Sequence, residues 1–307
     1  MSLKRFIDNY YWLYRIAYAI KFELPSIILG DKKMIERKFL KSFGFKPDLT
    51  NPKTLAEKLQ WVKLYDRKDF NTLAADKLRV RDYLENTFGN KYLVPIICKL
   101  DSWKDVKMEV LPDEPFVIKA NTGSGTLEIV RDKRDLNIDV LRNNCRKWMF
   151  CNRYYATQEW QYKNINPCII IEKLLTDKDG KLPYDYKLHY INGELQFIYC
   201  VIDRESNAYR AMFSPKWEYL PFQWVSVRNH TPIREAINTP KPANLEKMIA
   251  FGNEIAKHFK YYVRVDFYEL EGKLYFGEIT MHHGSGMNKF FPASAEECYA
   301  DKMNLNL

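Results

Sequence analysis

The chain has 307 residues, long enough for a large core and roughly two domains. With 46% hydrophobic and 15% aromatic residues but only 12 Gly and 14 Pro, a disordered or low-complexity protein is excluded. The net charge of +9 is uneven, because nine Lys/Arg against four Asp/Glu leave +5 in the first 44 residues. No zinc finger, basic zipper or RNP-like sequence accompanies it, so no nucleic-acid partner is expected, and the remaining +4 reads as a solvated basic surface. The six cysteines form no CxxC pair and no zinc-site spacing. With no signal-peptide pattern at the start, they read as ordinary thiols of a cytoplasmic protein.

In chain order, residues 1–70 are expected to form a helical N-terminal region. Residues 4–22, KRFIDNYYWLYRIAYAIKF, mix four Lys/Arg with aromatic residues and are too short and too charged to span a bilayer. They read either as a helix packed on the rest of the protein or as a basic, aromatic helix lying on an anionic membrane surface. The packed helix is preferred. Helical patterns follow in DKKMIERKFLKSFG, PKTLAEKLQWVKLYDR and LAADKLRVRDYLENTFG, the first closing on Gly44 and the last on Gly89. From residue 93 the segments turn short, β-branched and aromatic, with helices about 135–150 and 243–260. Asn192-Gly193 marks a two-residue hairpin. The class is α+β.

Two segments carry chemistry. In PFVIKANTGSGTLEIV, strand alternation sets Lys119 beside the loop Asn121-Thr122-Gly123-Ser124-Gly125, whose backbone N–H groups can approach phosphate oxygens. The loop lacks the GK[ST] ending of a Walker motif and leads into a strand, so it reads as a Gly-rich hairpin covering a nucleotide, or as a plain turn. In YYVRVDFYELEGKLYFGEIT, a two-residue turn at Glu271-Gly272 would put Asp266 and Glu278 on opposite faces. A three-residue turn, Glu271 to Lys273, pairs them directly, with Arg264 and Thr280 on the same face. Carboxylates that close need a cation between them, for which Mg²⁺ is suited, and Arg264 would then neutralise a transferring phosphoryl group or the resulting acyl phosphate. A solvated hairpin is the alternative. In the following MHHGSGMNKFF, adjacent histidines point opposite ways, so zinc is not expected and a loop touching the acceptor substrate is preferred.

Taken together, ADKLRVRDYL, FVIKANTGSG, CIIIEKLL, DYKLHYINGE, VRVDFYE and YFGEIT occur in an order that resembles the ATP-grasp superfamily. More narrowly, over about residues 38–300 the chain is similar to the TupA-like ATP-grasp family found with bacterial surface-polysaccharide genes. The resemblance implies two α+β lobes clasping ATP, a small lobe at 71–172 with the Gly-rich loop and a large lobe at 173–307 with the metal site. It implies that Lys77, Lys119 and Thr122, Gly123, Ser124 and Gly125 contact the phosphates, that Glu172, Lys173 and Leu174 line the adenine pocket, and that Asp185 and Lys187 lie near ribose and phosphates. Asp266 and Glu278 would bind Mg²⁺ and Arg264 would steady the acyl phosphate. Thr280 stands where many such enzymes carry Asn, so one Mg²⁺ rather than two is expected.

The implied activity is that of a carboxylate–amine ligase acting through an acyl phosphate with release of ADP. Its substrates would be a carboxylated sugar of a capsule or O-antigen unit and an amine or amino acid, and the enzyme would be cytoplasmic, with peripheral contact at the inner face of the membrane as the alternative. The rival readings are a glycosyltransferase of polysaccharide biosynthesis, which would use a nucleotide sugar and ignore ATP, an ATP-grasp kinase, and a non-catalytic nucleotide-binding subunit, against which Lys119, Arg264, Asp266 and Glu278 argue.

Overall fold

The structure is a computed structural model that describes residues 10–202, 209–227, 239–305 and 307. Its helices are α1 (Tyr11–Tyr18), α2 (Leu24–Phe43), α3 (Leu55–Tyr65), α4 (Asp69–Ala75), α5 (Val80–Phe88), α6 (Ile138–Phe150), α7 (Arg153–Thr157), α8 (Leu245–Ala256) and α9 (Ala295–Ala300). Its strands are β1 (Ile96–Leu100), β2 (Phe116–Ala120), β3 (Leu127–Val130), β4 (Ile169–Lys173), β5 (Asp185–Ile191), β6 (Glu194–Ile202), β7 (Tyr209–Phe213), β8 (Tyr219–Leu220), β9 (Gln223–Val225), β10 (Tyr262–Leu270), β11 (Lys273–Thr280) and β12 (Lys289–Phe291). They group into two compact units. The first takes residues 1–35, 71–86 and 94–174, and the second takes 36–70, 87–93 and 175–307.

The first unit is built on a four-stranded antiparallel sheet in the order β1-β4-β2-β3. Period-two alternation buries Phe116, Ile118 and Ala120 of β2 and leaves Val117 and Lys119 half-buried on the other face. The buried face joins Ile169, Ile171, Val130, Leu141 and Cys145 in one core beneath α6, which starts where Asn137 accepts from the N–H groups of Asp139 and Val140. The continuous helix expected over residues 73–89 is broken. The Asp76 carboxylate accepts from the N–H groups of Leu78 and Arg79, and this local alternative to helical bonding separates α4 from α5.

The second unit is built on a six-stranded antiparallel sheet in the order β11-β10-β5-β6-β7-β8, with β12 and β9 as a separate pair. Leu55, Leu59 and Val62 of α3 pack with Phe197, Phe222, Trp224, Phe290 and Tyr299. Helix α3 begins with a capping box between Thr54 and Glu57. On the other face α8 approaches β5 closely enough that Tyr190 Oη donates to the Ile249 carbonyl beside Gly252. The Asn192-Gly193 turn joins Ile191 to Glu194 with positive φ at both residues, as a type I′ turn requires.

The β10–β11 hairpin departs from the three-residue turn expected at Glu271 to Lys273. Its turn is the two-residue Glu271-Gly272, both at positive φ, with Leu270 opposite Lys273. Such a turn alone would set Asp266 and Glu278 on opposite faces. The register then slips by one residue between Val265 and Phe267, so that Arg264 faces Thr280 and Val265 faces Ile279. The bulge restores the shared face that the turn would have removed. It needs Gly277, because a Cβ there would lie 3.0 Å from the Asp266 carbonyl oxygen and 3.2 Å from Asp266 Cβ. Gly277→Ala is expected to cost about 1–3 kcal/mol through this overpacking, read as a lower denaturation midpoint. Unchanged stability would mean that the bulge does not depend on the missing side chain.

Candidate functional site

In the first unit the turn between α4 and α5 is tied to the Gly-rich loop. Lys77 N–H donates to the Asn121 carbonyl at 2.9 Å, and Lys77 Nζ donates to the Gly123 carbonyl. Asn121, which was read only as the start of the loop, is the buried hub of this arrangement. Its Nδ2 donates to Asp76 Oδ1 and to the Asn166 carbonyl, each at 3.0 Å, and its Oδ1 accepts from Cys168 N–H at 2.8 Å. The loop tip turns through Gly123 and Gly125, at φ 79° and 73°, conformations that side chains rarely adopt. Thr122 is half-buried, Gly123 buried, and Ser124 and Gly125 exposed. The root of the loop is therefore fixed and its tip is open.

Lys119 lies within 2.5 Å of Glu172 Oε2, and Arg81 approaches Glu172 Oε1 at 3.5 Å while donating to the Val94 carbonyl at 2.7 Å. Burial pulls Arg81 below its ordinary value and Glu172 partly offsets it. Arg81 is a residue that the sequence reading did not single out. Beyond Glu172 the N–H groups of Lys173 and Leu174 donate to the Pro95 and Pro115 carbonyls. The Lys173 side chain is exposed and Leu174 is buried.

In the second unit Asp185, Lys187, Arg264, Asp266 and Glu278 form one network across three adjacent strands. Lys187 Nζ is 2.5 Å from Asp185 Oδ2 and 2.6 Å from Asp266 Oδ2. Arg264 grips Asp266 with two parallel bonds, Nε to Oδ1 and Nη2 to Oδ2, both 2.7 Å. Its Nη2 also donates to Glu278 Oε1 at 2.7 Å, and Thr280 Oγ1 donates to the same oxygen at 3.2 Å. The cation between the two carboxylates is thus Arg264 itself. Burial opposes its charge, but Asp266 and Glu278 outweigh burial and hold the guanidinium more firmly protonated than usual.

His283 completes this arrangement. Its Nδ1 lies 2.8 Å from Arg264 Nη1 and its Nε2 lies 3.1 Å from the Trp224 carbonyl. A guanidinium can only donate and a carbonyl can only accept, so the ring is neutral with its proton on Nε2, which requires the Asn288 amide, 2.9 Å from Nε2, to turn its oxygen to the ring. The loop that carries it is fixed by α3, where Gln60 Nε2 donates to the Gly286 carbonyl and buried Lys63 donates to the Ser285 carbonyl. The sequence reading gave this loop to the acceptor substrate, and the only signal for its link to Arg264 was the pair of histidines itself.

A family model for TupA-like ATP-grasp proteins matches residues 57–304. The chain belongs to that family. The fold is accordingly the ATP-grasp fold, preceded by helix from Tyr11. No curated protein matches the sequence. Among solved structures it is similar to D-alanine–D-alanine ligase from Bacillus anthracis complexed with ATP, at 17% identity over 68% of this chain and 55% of that one, TM-score 0.37. It is also similar to L-amino acid ligase from Bacillus licheniformis, at 14% identity over 83% and 55%, TM-score 0.43. A third is N5-carboxyaminoimidazole synthetase from Staphylococcus aureus complexed with ADP, at 14% over 68% and 45%, TM-score 0.38. The chain spans little more than half the length of the first of these.

The TupA-like unit also sets a pH dependence. Burial pushes His189, His282 and His283 well below their ordinary value of 6.5, with Arg264 adding to the effect on His283. A base with a depressed folded pKa leaves stability intact above its unfolded value and loses it as pH falls below, because only the unfolded chain takes the proton. Each such histidine adds about 1.4 kcal/mol per pH unit to that loss. The urea midpoint is expected to hold from pH 8 to about 6.5 and to fall below it, less steeply in His282→Asn. A midpoint that stays level as pH falls below about 6.5 would refute neutral burial.

Proposed function

We propose that the protein is an ATP- and Mg²⁺-dependent carboxylate–amine ligase of the cytoplasm that modifies a carboxylated sugar of surface polysaccharide, joining it to an amine or amino acid. The observation that carries this reading is the network of Asp185, Lys187, Arg264, Asp266 and Glu278. Its three carboxylates and two cations sum to −1, so a further cation is favoured there. Asp266 engages three donors of the roughly four its two oxygens can accept. Glu278 engages donors through Oε1 and is the more exposed of the pair, with 29% of its side chain open against 2% for Asp266. Among the described residues no group of three or more His, Cys, Asp or Glu is arranged to hold a metal. Two carboxylates suffice for Mg²⁺, which completes its shell with water and phosphate oxygen.

In this reading Asp266 and Glu278 hold Mg²⁺, which supplies charge neutralisation to phosphate oxygens. Lys77, Lys119 and the backbone of residues 122–125 hold the nucleotide phosphates, and the glycines let the loop close over them and exclude water. Glu172, Lys173 and Leu174 border the adenine. Lys187 and Arg264, already oriented by their carboxylates, offset the charge of the phosphoryl group as it passes to the substrate carboxylate and of the acyl phosphate formed with release of ADP. The amine then attacks the acyl carbon and phosphate leaves.

A glycosyltransferase would look instead to a pair such as Asp177-Lys178-Asp179. In this chain Asp177 accepts from the N–H groups of Asp179 and Lys181 and so serves a surface turn.

Incubation with Mg-ATP, carboxylated glycans and amines, following ADP and product mass, tests the reading. ADP release that requires both a carboxylate and an amine supports it, and consumption of a nucleotide sugar without ADP refutes it. Asp266→Asn and Glu278→Gln are each expected to lower turnover by about 100-fold or more, since even outer-shell partners of a metal are worth 10–100-fold. Melting curves distinguish this from unfolding, and Glu278→Gln is the less disruptive change. Full activity in a folded Glu278→Gln protein would remove the metal assignment.

A further inference from the structure

Helix α1 runs on through a π-helical turn, Ala19–Glu23, into α2, and the run ends at Gly30, whose φ of 75° and ψ of 168° break the helix. The wider turn answers Pro25. Leu24 N–H reaches back to the Ala19 carbonyl, so the helix passes the residue that cannot donate without ending. One face of this helix is held by its own unit. Tyr11 lies 3.7 Å from the Arg146 guanidinium, Tyr18 Oη donates to the Asn152 carbonyl at 2.7 Å, and Ser26 Oγ accepts from Gln158 at 3.3 Å.

The opposite face is largely exposed, although the Arg146 guanidinium also lies 4.9 Å from the Trp12 ring. Trp12, Ile16, Ile20, Leu24, Ile27 and Ile28 recur at spacings of three and four residues and are each between 51% and 77% exposed. Side chains of this size leave an apolar strip on the order of several hundred Å², as large as the largest patch on most monomers. Its surroundings are basic. Between Tyr10 and Lys33 the acids are Glu23, paired with Arg15 at 2.8 Å, and the half-buried Asp31, which accepts from Tyr154 Oη, whereas Lys21, Lys32 and Lys33 are exposed.

We propose that this face is a docking surface for an anionic lipid bilayer, on which the helix lies without crossing. No helix among the described residues is long and apolar enough to cross a membrane, and the inner face of this one is committed to its own unit. The strip suits the acyl boundary, with Trp12 and Tyr10 at the level where amphipathic rings settle and the lysines placed for acidic headgroups. A second copy of the chain suits it less well. An isologous pair would bring the exposed Lys21, Lys32 and Lys33 of one molecule near those of the other. A lipid surface of opposite charge gains from the same residues.

The surface is independent of the nucleotide chemistry and is tested apart from it. Full-length protein is sedimented with phosphatidylcholine vesicles with and without phosphatidylglycerol, beside Ile20→Glu/Ile27→Glu and Ile20→Ser/Ile27→Ser variants. Binding is expected to the anionic vesicles, weakened by salt, and about tenfold or more weaker in both variants, whose melting curves stay unchanged because the side chains are exposed. Absence of binding to anionic vesicles, or binding that survives both substitutions, overturns the proposal. So does a wild-type dimer that either double variant converts to monomer, which would make the strip an interface between copies. If the chain binds neither vesicles nor itself and the strip captures a protein, the lipid assignment is likewise wrong.

Discussion

A guanidinium that is only 6% exposed, as Arg264 is, persists in a fold only if anions and acceptors surround it. Removing one partner of such a group leaves an uncompensated charge, at about 3–5 kcal/mol. Much of the second unit is organised by that requirement. Asp266 meets it from the same strand, Glu278 from the neighbouring strand and His283 from the loop beyond. That loop is held in turn by Gln60 and Lys63 on α3. The bulge at Gly277 also belongs to this scheme, since it brings Glu278 to the guanidinium. The α3 helix, the hairpin and the Gly-Ser-Gly loop are therefore linked through one side chain.

The first unit solves a different problem. If the Gly-rich loop covers phosphates, as proposed, its tip must stay open to admit a ligand, yet a loop free at both ends would lose much entropy on closing. Asn121 resolves this by fixing the root. One amide joins the helix break at Asp76, the start of β4 at Cys168 and the segment at Asn166, while Thr126 Oγ1 donates to the Thr122 carbonyl at the other end. The two glycines between these anchors retain the freedom. Lys77 reaches this loop because Asp76 breaks the helix.

Strand alternation and the I′ signal at Asn192-Gly193 were legible because they depend on neighbours in sequence. The β10–β11 hairpin was legible only in its result. A three-residue turn and a two-residue turn followed by a one-residue bulge give the same pairing beyond the bulge, so the face shared by Asp266 and Glu278 was reached by the wrong path. The bulge follows from a close approach of backbones at Gly277, which no local pattern records. His283 was hidden for a related reason, as its partner stands 19 residues earlier, on β10. Asp76 reads as an ordinary helical surface acid until Asn121 is known to stand beside it.

The N-terminal segment shows where periodicity stops being informative. Aromatic and aliphatic residues every three or four positions say that a helix has an apolar face, and a helix that is apolar nearly all round has two. In sequence a packed helix and a surface-lying helix then compete as alternatives, and the packed one is the more economical reading. In the structure the helix is packed on one side and open on the other, because Tyr11, Tyr18 and Ser26 pack inward while Trp12, Ile16, Ile20 and Ile27 are exposed. Exposed aliphatic side chains in such a row carry a continuing hydration cost that folding of this unit alone does not remove. The row also continues past Phe22 to Ile28, beyond the basic aromatic segment that drew attention to it. Its limit is set by Gly30, where the helix breaks, and so the extent of the surface follows from backbone geometry and not from composition.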